Sequence, residues 1–518
     1  MFSIQLSGSI LAIVLSLAFY VRWRRSRNVN PMGLPLPPGP RQHFLLGNLS
    51  DLPTGGYEWI KHKALSQSYS DIVFLNIFGR HNLFINSFKA TNDLLDKKGA
   101  IYSDRPRLPM VKELMGWDWN LVLMSYHEGF SVHRRIVQQN FQPSIVARSH
   151  RPVMLREVRV LLNNLLVKPN DFTHHLRRMA GAIIMMVTYG HQIGDDGDEY
   201  IDLAEQLRDF ADRRAFRGWN VMVNGFPILK YVPAWLPGAQ FKRDALFGKL
   251  LGIRMRNAPY TMVKERMAAG TAVPSLISSM IEESPSSGID EEVIKNCGGV
   301  IYNAGADTTV AALTNLFLAM MTYPQVQSQA QRELDKIVGR SRLPQFEDRD
   351  QLPYVGRVLK EVLRWKVVAP LGVPHCTTES DEYRGRHIPP RTILGISCGD
   401  CYRAILHDEA VYPNPETFDP DRFLARADKP AEPDPSRVAF GFGRRICPGR
   451  FFADDSMWLA LASILHLFNI SKVMDAQGRD IEPEVHYGSG LVSMPSPFAC
   501  TIKPRFIGAE ELIMSAVE

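Results

Sequence analysis

Phe440-Gly441-Phe442-Gly443-Arg444-Arg445-Ile446-Cys447-Pro448-Gly449-Arg450 carries more information than any other segment of the chain. Two glycines before the cysteine allow a tight turn with φ > 0, and such a turn aims backbone N–H groups at the sulfur. Arg444 and Arg445 supply cations for the carboxylates of a large anionic group. Pro448 suits the first turn of a helix, whose N-terminal N–H groups and dipole favour a thiolate. The pattern presents a deprotonated sulfur to a metal. The plainer alternative is a buried structural thiol beside a glycine turn.

With 518 residues and 45% hydrophobic content the chain can bury a large core and is not disordered. Its six cysteines are Cys297, Cys376, Cys398, Cys401, Cys447 and Cys500. They are too few for a disulfide framework at this length, so a reducing compartment is expected. Cys398-Gly399-Asp400-Cys401 is a CxxC with no second Cys/His pair at metal spacing, which argues against a zinc or redox role. The net charge of +6 is concentrated in Arg22, Arg24, Arg25 and Arg27; without them 56 basic residues face 54 acidic ones. No basic stripe with interleaved aromatics occurs elsewhere, so nucleic acid is excluded as a partner.

Ile4 to Val21 is a run of eighteen uncharged residues, long enough for a transmembrane helix. A cleaved signal peptide would carry its positive charges before the apolar stretch; here the arginines follow it. Residues 1–21 are therefore expected to be a signal anchor, with everything after the arginines cytosolic. The sequons Asn48-Leu49-Ser50 and Asn469-Ile470-Ser471 should then stay unglycosylated. Residues 22–40 form a basic and proline-rich hinge, whose Pro35-Leu36-Pro37-Pro38-Gly39-Pro40 is stiff and extended. Residues 41–518 show no repeat and are expected to form one large helical domain with a small β region near its start. Asp71 to Ile77 and Asn82 to Ile85 are strand-like, and prolines and glycines gathered at 225–238 and 411–449 mark loops.

A long helix is predicted from Asp290 to Thr322. On it Cys297, Ile301, Ala304, Gly305 and Thr308 share a face. Most of that face is small, whereas a packed core would place Leu or Phe there, and a mid-helix glycine costs about 1 kcal/mol relative to alanine. Small residues leave room for a planar cofactor and a small ligand; a helix kink is the alternative. The Thr308 hydroxyl and the Asp307 carboxylate are parts of a proton relay. Glu361-Val362-Leu363-Arg364 lies in a helical run from Tyr354 to Trp365 and makes a carboxylate and a guanidinium neighbours. In isolation such a pair is an ordinary solvated contact.

The cysteine loop, Ala304-Gly305-Ala306-Asp307-Thr308-Thr309, Glu361 to Arg364 and Phe418-Asp419-Pro420-Asp421-Arg422-Phe423 together resemble the motifs of cytochromes P-450. Anchor, basic run and proline hinge resemble the amino-terminus of microsomal members. Leu114-Met115-Gly116-Trp117-Asp118-Trp119 and Tyr231-Val232-Pro233-Ala234-Trp235-Leu236-Pro237-Gly238 look like fungal members that oxidise secondary metabolites.

The resemblance implies a mainly α cytochrome P-450 fold with Cys447 as axial thiolate of haem b, iron protoporphyrin IX. It places Arg445, Arg134 and His375 on the haem propionates, and Phe440, Gly441 and Gly305 around the cofactor. Phe130 stands where tryptophan is usual and Ser131 where arginine is frequent, so one N–H donor is missing. The stretch Cys398 to Arg403 is longer than the family's usual strand. Thr308 and Asp307 would deliver protons during oxygen activation. Glu361, Arg364 and Arg422 would form a buried structural triad. Ile301, Ala304, Val368, Leu371 and Val373 would line a pocket for an apolar substrate, a terpenoid before an aromatic or indole compound. The implied activity is hydroxylation with O2 and electrons from NADPH. Residues 41–518 hold no flavin or NADPH module, so a separate NADPH–cytochrome reductase is implied, with cytochrome b5 as a second donor. The implied location is the endoplasmic reticulum membrane, single-pass, with the catalytic domain cytosolic. A non-oxygenating isomerase or dehydratase is one rival, although such relatives usually depart from the Asp–Thr pair kept here. A haem sensor or carrier is the other.

Overall fold

The computed structural model describes residues 29–44, 46–51, 64–194, 197–211, 214, 219–370, 372–395, 401–488 and 492–517. The expected anchor, the arginine run and Cys398 lie outside the described residues. The chain divides into two compact units, one of Met1–Pro106 with Pro374–Gly399, the other of Arg107–Val373 with Asp400–Glu518. The β region near the start thus recruits a second stretch from far along the sequence, which local patterning could not reveal.

In the smaller unit β1 (Ile72–Ile77) and β2 (Arg80–Ile85) form an antiparallel hairpin with Phe74 opposite Leu83. The turn has φ of 49° at Phe78 and 78° at Gly79, the left-handed pair that suits the twist of a two-residue hairpin. β3 (His375–Cys376), β4 (Asp381–Tyr383), β5 (Arg386–Ile388) and β6 (Ile393–Leu394) come from the second stretch. β6 runs parallel to β2 and antiparallel to β3, giving the order β1-β2-β6-β3, while β4 and β5 pair separately. Val73 and Leu75 of β1 and Phe84 of β2 form a small buried cluster with Leu65 and Ile77 packed on it. The proline-rich segment is docked on this unit: Phe74 N–H donates to the Pro38 carbonyl at 2.8 Å, and His387 N–H to Pro35 at 2.9 Å. A Cβ on Gly39 would stand 2.1 Å from the Phe74 carbonyl oxygen, so only glycine admits that approach. Residues 35–40, read from the sequence as a stiff and extended hinge, are thus hydrogen-bonded to this unit.

The larger unit is helical apart from β7 (Phe468–Ser471) paired with β8 (Thr501–Pro504). Seven helices matter for the site: α1 (Glu128–Asn140), α2 (Phe172–Tyr189), α3 (Glu199–Phe210), α4 (Gln240–Ala268), α5 (Glu291–Thr322), α6 (Pro353–Trp365) and α7 (Arg450–Leu467). α5 begins where the sequence predicts, because the Asp290 side chain accepts from Glu292 N–H at 2.7 Å and caps it. It packs against α1, α2, α4, α6 and α7, with Phe317 stacked on Phe172 at 4.7 Å. Among the described residues α5 alone is long and apolar enough to cross a membrane, but 72% of its most apolar window is buried. Its apolarity belongs to the core.

α6 carries Glu361 and Arg364, both fully buried. Arg364 donates from Nε and Nη2 to the two carboxylate oxygens of Glu361, each at 2.8 Å. Its remaining N–H groups reach the carbonyls of Leu406, Pro415 and Thr417. Arg422 donates to Glu361 at 3.1 Å and to Glu432 at 2.9 Å, and Asp419 N–H donates to Glu361 at 2.9 Å. The loop between Leu406 and Glu432 is therefore tied to α6 by charge-assisted bonds inside the protein, not on its surface. Glu361→Ala leaves two guanidiniums short of their counter-charge, and breaking a buried pair in this way costs about 3–5 kcal/mol. The expected outcome is a loss of that size in urea unfolding, with little folded protein recovered. Unchanged stability would mean that the carbonyls alone hold the loop.

Candidate active site

The cysteine loop follows a short helical turn, Ser436–Ala439. Gly441 has φ of +80° and Gly443 of +54°, so both glycines adopt the left-handed backbone that the motif requires. The loop folds back until Cys447 N–H donates to the Phe440 carbonyl at 2.8 Å. Helix α7 starts at Arg450 with Gly449 as its cap, so Pro448 precedes the first turn instead of lying in it. The anion-favouring end of α7 is still delivered to the sulfur, through the Gly449 N–H.

Four free cysteines are described, and Cys447 alone among them is not fully buried. Burial pushes the thiols of Cys297, Cys376 and Cys500 each up to about 12, as expected of inert core sulfurs. Burial raises the Cys447 thiol too, but there the Gly449 N–H and the cations of Arg134 and Arg450 pull the other way. A soft donor with nearby positive charge and an open side suits a thiolate-ligated haem iron.

Arg134 projects from α1 and donates to the Ile446 carbonyl, next to the cysteine. Arg445 lies across the end of α1, bonded to the Met124 carbonyl at 2.8 Å and stacked 3.7 Å over the Phe130 ring. Phe130 lacks the N–H of the expected tryptophan, but its π-face seats the Arg445 guanidinium. That use was not visible in the sequence. His375 belongs to the smaller unit, where it is buried on β3 with Nδ1 at 2.8 Å from the Tyr102 carbonyl.

Along α5 the burial is interrupted in the middle. Ile301 and Tyr302 are buried, as are Thr309 and Val310, yet Ala304 is exposed and Asp307 and Thr308 are half-buried. This stretch of α5 is less covered than the turns on either side. Gly305 does not contribute in the expected way. A Cβ on it would stand 2.8 Å from Ile184 Cδ1, so its missing side chain seats α5 on α2 and does not clear room for a cofactor. Thr308 donates its hydroxyl to the Ala304 carbonyl at 3.1 Å, and Asp307 Oδ1 lies 3.8 Å from Arg208 Nη1 on α3. Of the expected pocket residues, Val368 and Val373 are half-buried, and the Val368 carbonyl accepts from Ser493 N–H at 2.8 Å. Leu371 lies outside the described residues.

A groove of about 560 Å³ opens beside the cysteine loop, lined among others by Tyr126, Arg134, Arg135, Gln138 and Arg444. Sequence reading missed it because its cations come from α1 and from the loop, which are distant along the chain.

Residues 37–502 match the family model described as Cytochrome P-450. A cytochrome P-450 monooxygenase of Armillaria gallica is 41% identical over 514 residues, covering 98% of this chain and 99% of that protein. Cytochrome P-450 monooxygenase 208 of Postia placenta is 39% identical, covering 99% of this chain and 98% of that protein. The monooxygenase claR of Ampulloclitocybe clavipes is 40% identical over 92% of this chain and 88% of its own length. With likeness at this level along almost its whole length, the chain belongs to the cytochrome P-450 family and is a monooxygenase of the oxidoreductase class.

Proposed function

We propose that this chain is a membrane-anchored haem–thiolate monooxygenase that hydroxylates an apolar small molecule of fungal secondary metabolism, a terpenoid-like scaffold. The observation that carries the reading is the environment of Cys447: a half-buried sulfur that receives the Gly449 N–H between two arginines. Cys447 would hold the iron, and Arg134 and Arg445 the propionates, with Phe440 and Gly441 shaping the loop. Bound haem supplies the oxidising chemistry on O2. The protein's part is to seat the substrate, exclude water and manage protons. Thr308 and Asp307 stand where α5 opens, with a hydroxyl and a carboxylate on successive residues, and they would pass protons inward from solvent.

Electrons would come from a separate NADPH–cytochrome reductase. The groove beside the cysteine loop supports this, since Arg134, Arg135 and Arg444 offer an acidic partner a cationic surface next to the ligand sulfur. Cytochrome b5 would use the same face. Attachment to the endoplasmic reticulum rests on the eighteen uncharged residues from Ile4. The larger unit supports it with Ile228, Tyr231 and Trp235, which are 76%, 75% and 79% exposed and suit a membrane interface.

Two measurements test this function. Cys447→Ser and Cys447→His should lose the red-shifted absorption of the reduced, carbon monoxide-treated protein, because neither keeps an anionic sulfur. A Cys447→Ala protein that keeps the band would assign the ligand to another cysteine. Thr308→Ala should still take up haem and substrate while the share of NADPH recovered in product falls several-fold and hydrogen peroxide rises. Added peroxide should restore part of the product. Unaltered coupling would leave Thr308 as an ordinary helix threonine bonded to a carbonyl one turn back.

A further inference from the structure

His133 and Asn296 meet where α5 packs on α1, and both side chains are buried. His133 Nδ1 lies 2.7 Å from the Gly129 carbonyl one turn back, and its Nε2 lies 3.2 Å from Asn296 Nδ2. Asn296 Oδ1 accepts from Arg256 Nη1 of α4 at 3.2 Å, and the same Nη1 stands 3.1 Å from Glu292, which is 54% exposed. Arg256 also lies over the Trp119 ring at 5.7 Å. Gly299 of α5 admits this approach, since a Cβ there would stand 3.3 Å from Arg256 Cα. A chain of polar contacts thus runs from the surface at Glu292 through α4 and α5 to a buried ring on α1.

The direction of every bond in this chain is fixed. A carbonyl only accepts, so His133 carries its proton on Nδ1. A guanidinium only donates, so the Asn296 oxygen faces Arg256 and its NH2 group faces His133. His133 Nε2 is therefore an acceptor, and the ring is neutral. Burial, with the repelling charge of His127 on the same helix, holds the ring below the ordinary histidine range against the pull of the Gly129 carbonyl. The charged groups beyond the amide are Arg256 of α4 and, on α5, Glu292 with Lys295 bonded to it at 2.9 Å. A proton on Nε2 would set two N–H donors against each other. Turning the amide over would only move the conflict, because its NH2 group would then face Arg256.

We infer that His133 is a positioning residue that locks α1 to α5 only while its ring is neutral, so that acid releases the helix from which Arg134 and Phe130 reach the cysteine loop. The inference rests on the role proposed for Cys447 and Arg134 in holding haem. On one side α1 presents His133 to Asn296. On the other, Arg134 donates to the Ile446 carbonyl beside Cys447, and Phe130 seats Arg445. A solvent proton taken up at Nε2 breaks the bond to Asn296 and leaves buried donors unpaired, which is the costly state for a polar group. Any shift of α1 that relieves them is passed to the loop through Arg134 and Phe130. A histidine held low in the folded protein adds stability that is complete above about pH 6.5 and is lost as the pH falls through the folded value.

The test takes full-length, haem-loaded protein from about pH 7.5 to about pH 5, with the variants His133→Gln and Asn296→Asp. Glutamine keeps an acceptor at the place of Nε2 and does not titrate. Aspartate pairs with a protonated ring and with Arg256, so it reverses the preference. Two readouts are followed: urea unfolding, and the red-shifted absorption of the reduced, carbon monoxide-treated protein. In the wild type both should fall together on acidification and recover on neutralisation. His133→Gln should match the wild type at the upper pH and move the acid midpoint down by about one pH unit or more. Asn296→Asp should be firmest in acid and weaken as the pH rises, and it decides alone if His133→Gln takes up no haem. The inference is overturned if His133→Gln keeps the wild-type midpoint, or if Asn296→Asp weakens in acid as the wild type does, since the proton then acts at another histidine. It is also overturned if unfolding responds to the variants while the absorption does not, because the lock then stops short of the loop. Failure of the haem-ligand reading is told apart by a Cys447→Ala protein that keeps the absorption band, a result that leaves the unfolding profiles of the two variants unaltered.

Discussion

Glu361 is the group on which the larger unit's organisation turns. It is a carboxylate with no solvent exposure, so its desolvation must be offset in full within a few ångströms. Four donors do this, two from Arg364, one from Arg422 and the Asp419 N–H, and the charge of both guanidiniums adds to them. Arg422 in turn needs Glu432, and the two carboxylates balance the two guanidiniums. None of the four can be removed singly without stranding another. Such a cluster contributes little net stability compared with an apolar filling. What it contributes is definition, because the segment from Leu406 to Glu432 has one arrangement in which all partners are met. The cysteine loop begins directly after that segment.

The loop itself is set by smaller forces. Positive φ at two glycines and one backbone bond from Cys447 to Phe440 turn the chain, and the start of α7 supplies the N–H that meets the sulfur. The comparison with the sealed thiols is what gives Cys447 its meaning. Burial raises the thiols of Cys297, Cys376, Cys447 and Cys500, but of these Cys447 alone combines an open side with opposing positive groups. Reactivity here is a property of surroundings, not of residue type.

Much of this was legible in the sequence because it is local. The two glycines, the start of α5 at Asp290 and the spacing of Glu361 and Arg364 each act within a few positions, and each stands where it was expected. What was not legible depends on chain segments meeting from afar. Gly305 reads as cofactor clearance until Ile184 is seen against it. Phe130 reads as a lost hydrogen-bond donor until Arg445 is seen on its ring. Pro35 to Pro40 reads as a stiff hinge, and nothing local says that the Phe74 N–H will meet Pro38. Periodicity reports which face of an element is apolar, but not which neighbour arrives there.

The two sets of buried charges show how one kind of interaction serves opposite ends. Around Glu361 the separations are those of true hydrogen bonds, exposure is nil, and charges cancel, so any displacement strands a group in a medium that cannot solvate it. Around Asp307 the contact with Arg208 is an ångström longer, and solvent reaches both partners. Water can replace either partner as it leaves, which makes the arrangement adjustable. The rigid cluster lies on the segment leading to the sulfur, and the loose one lies on α5 beside Thr308.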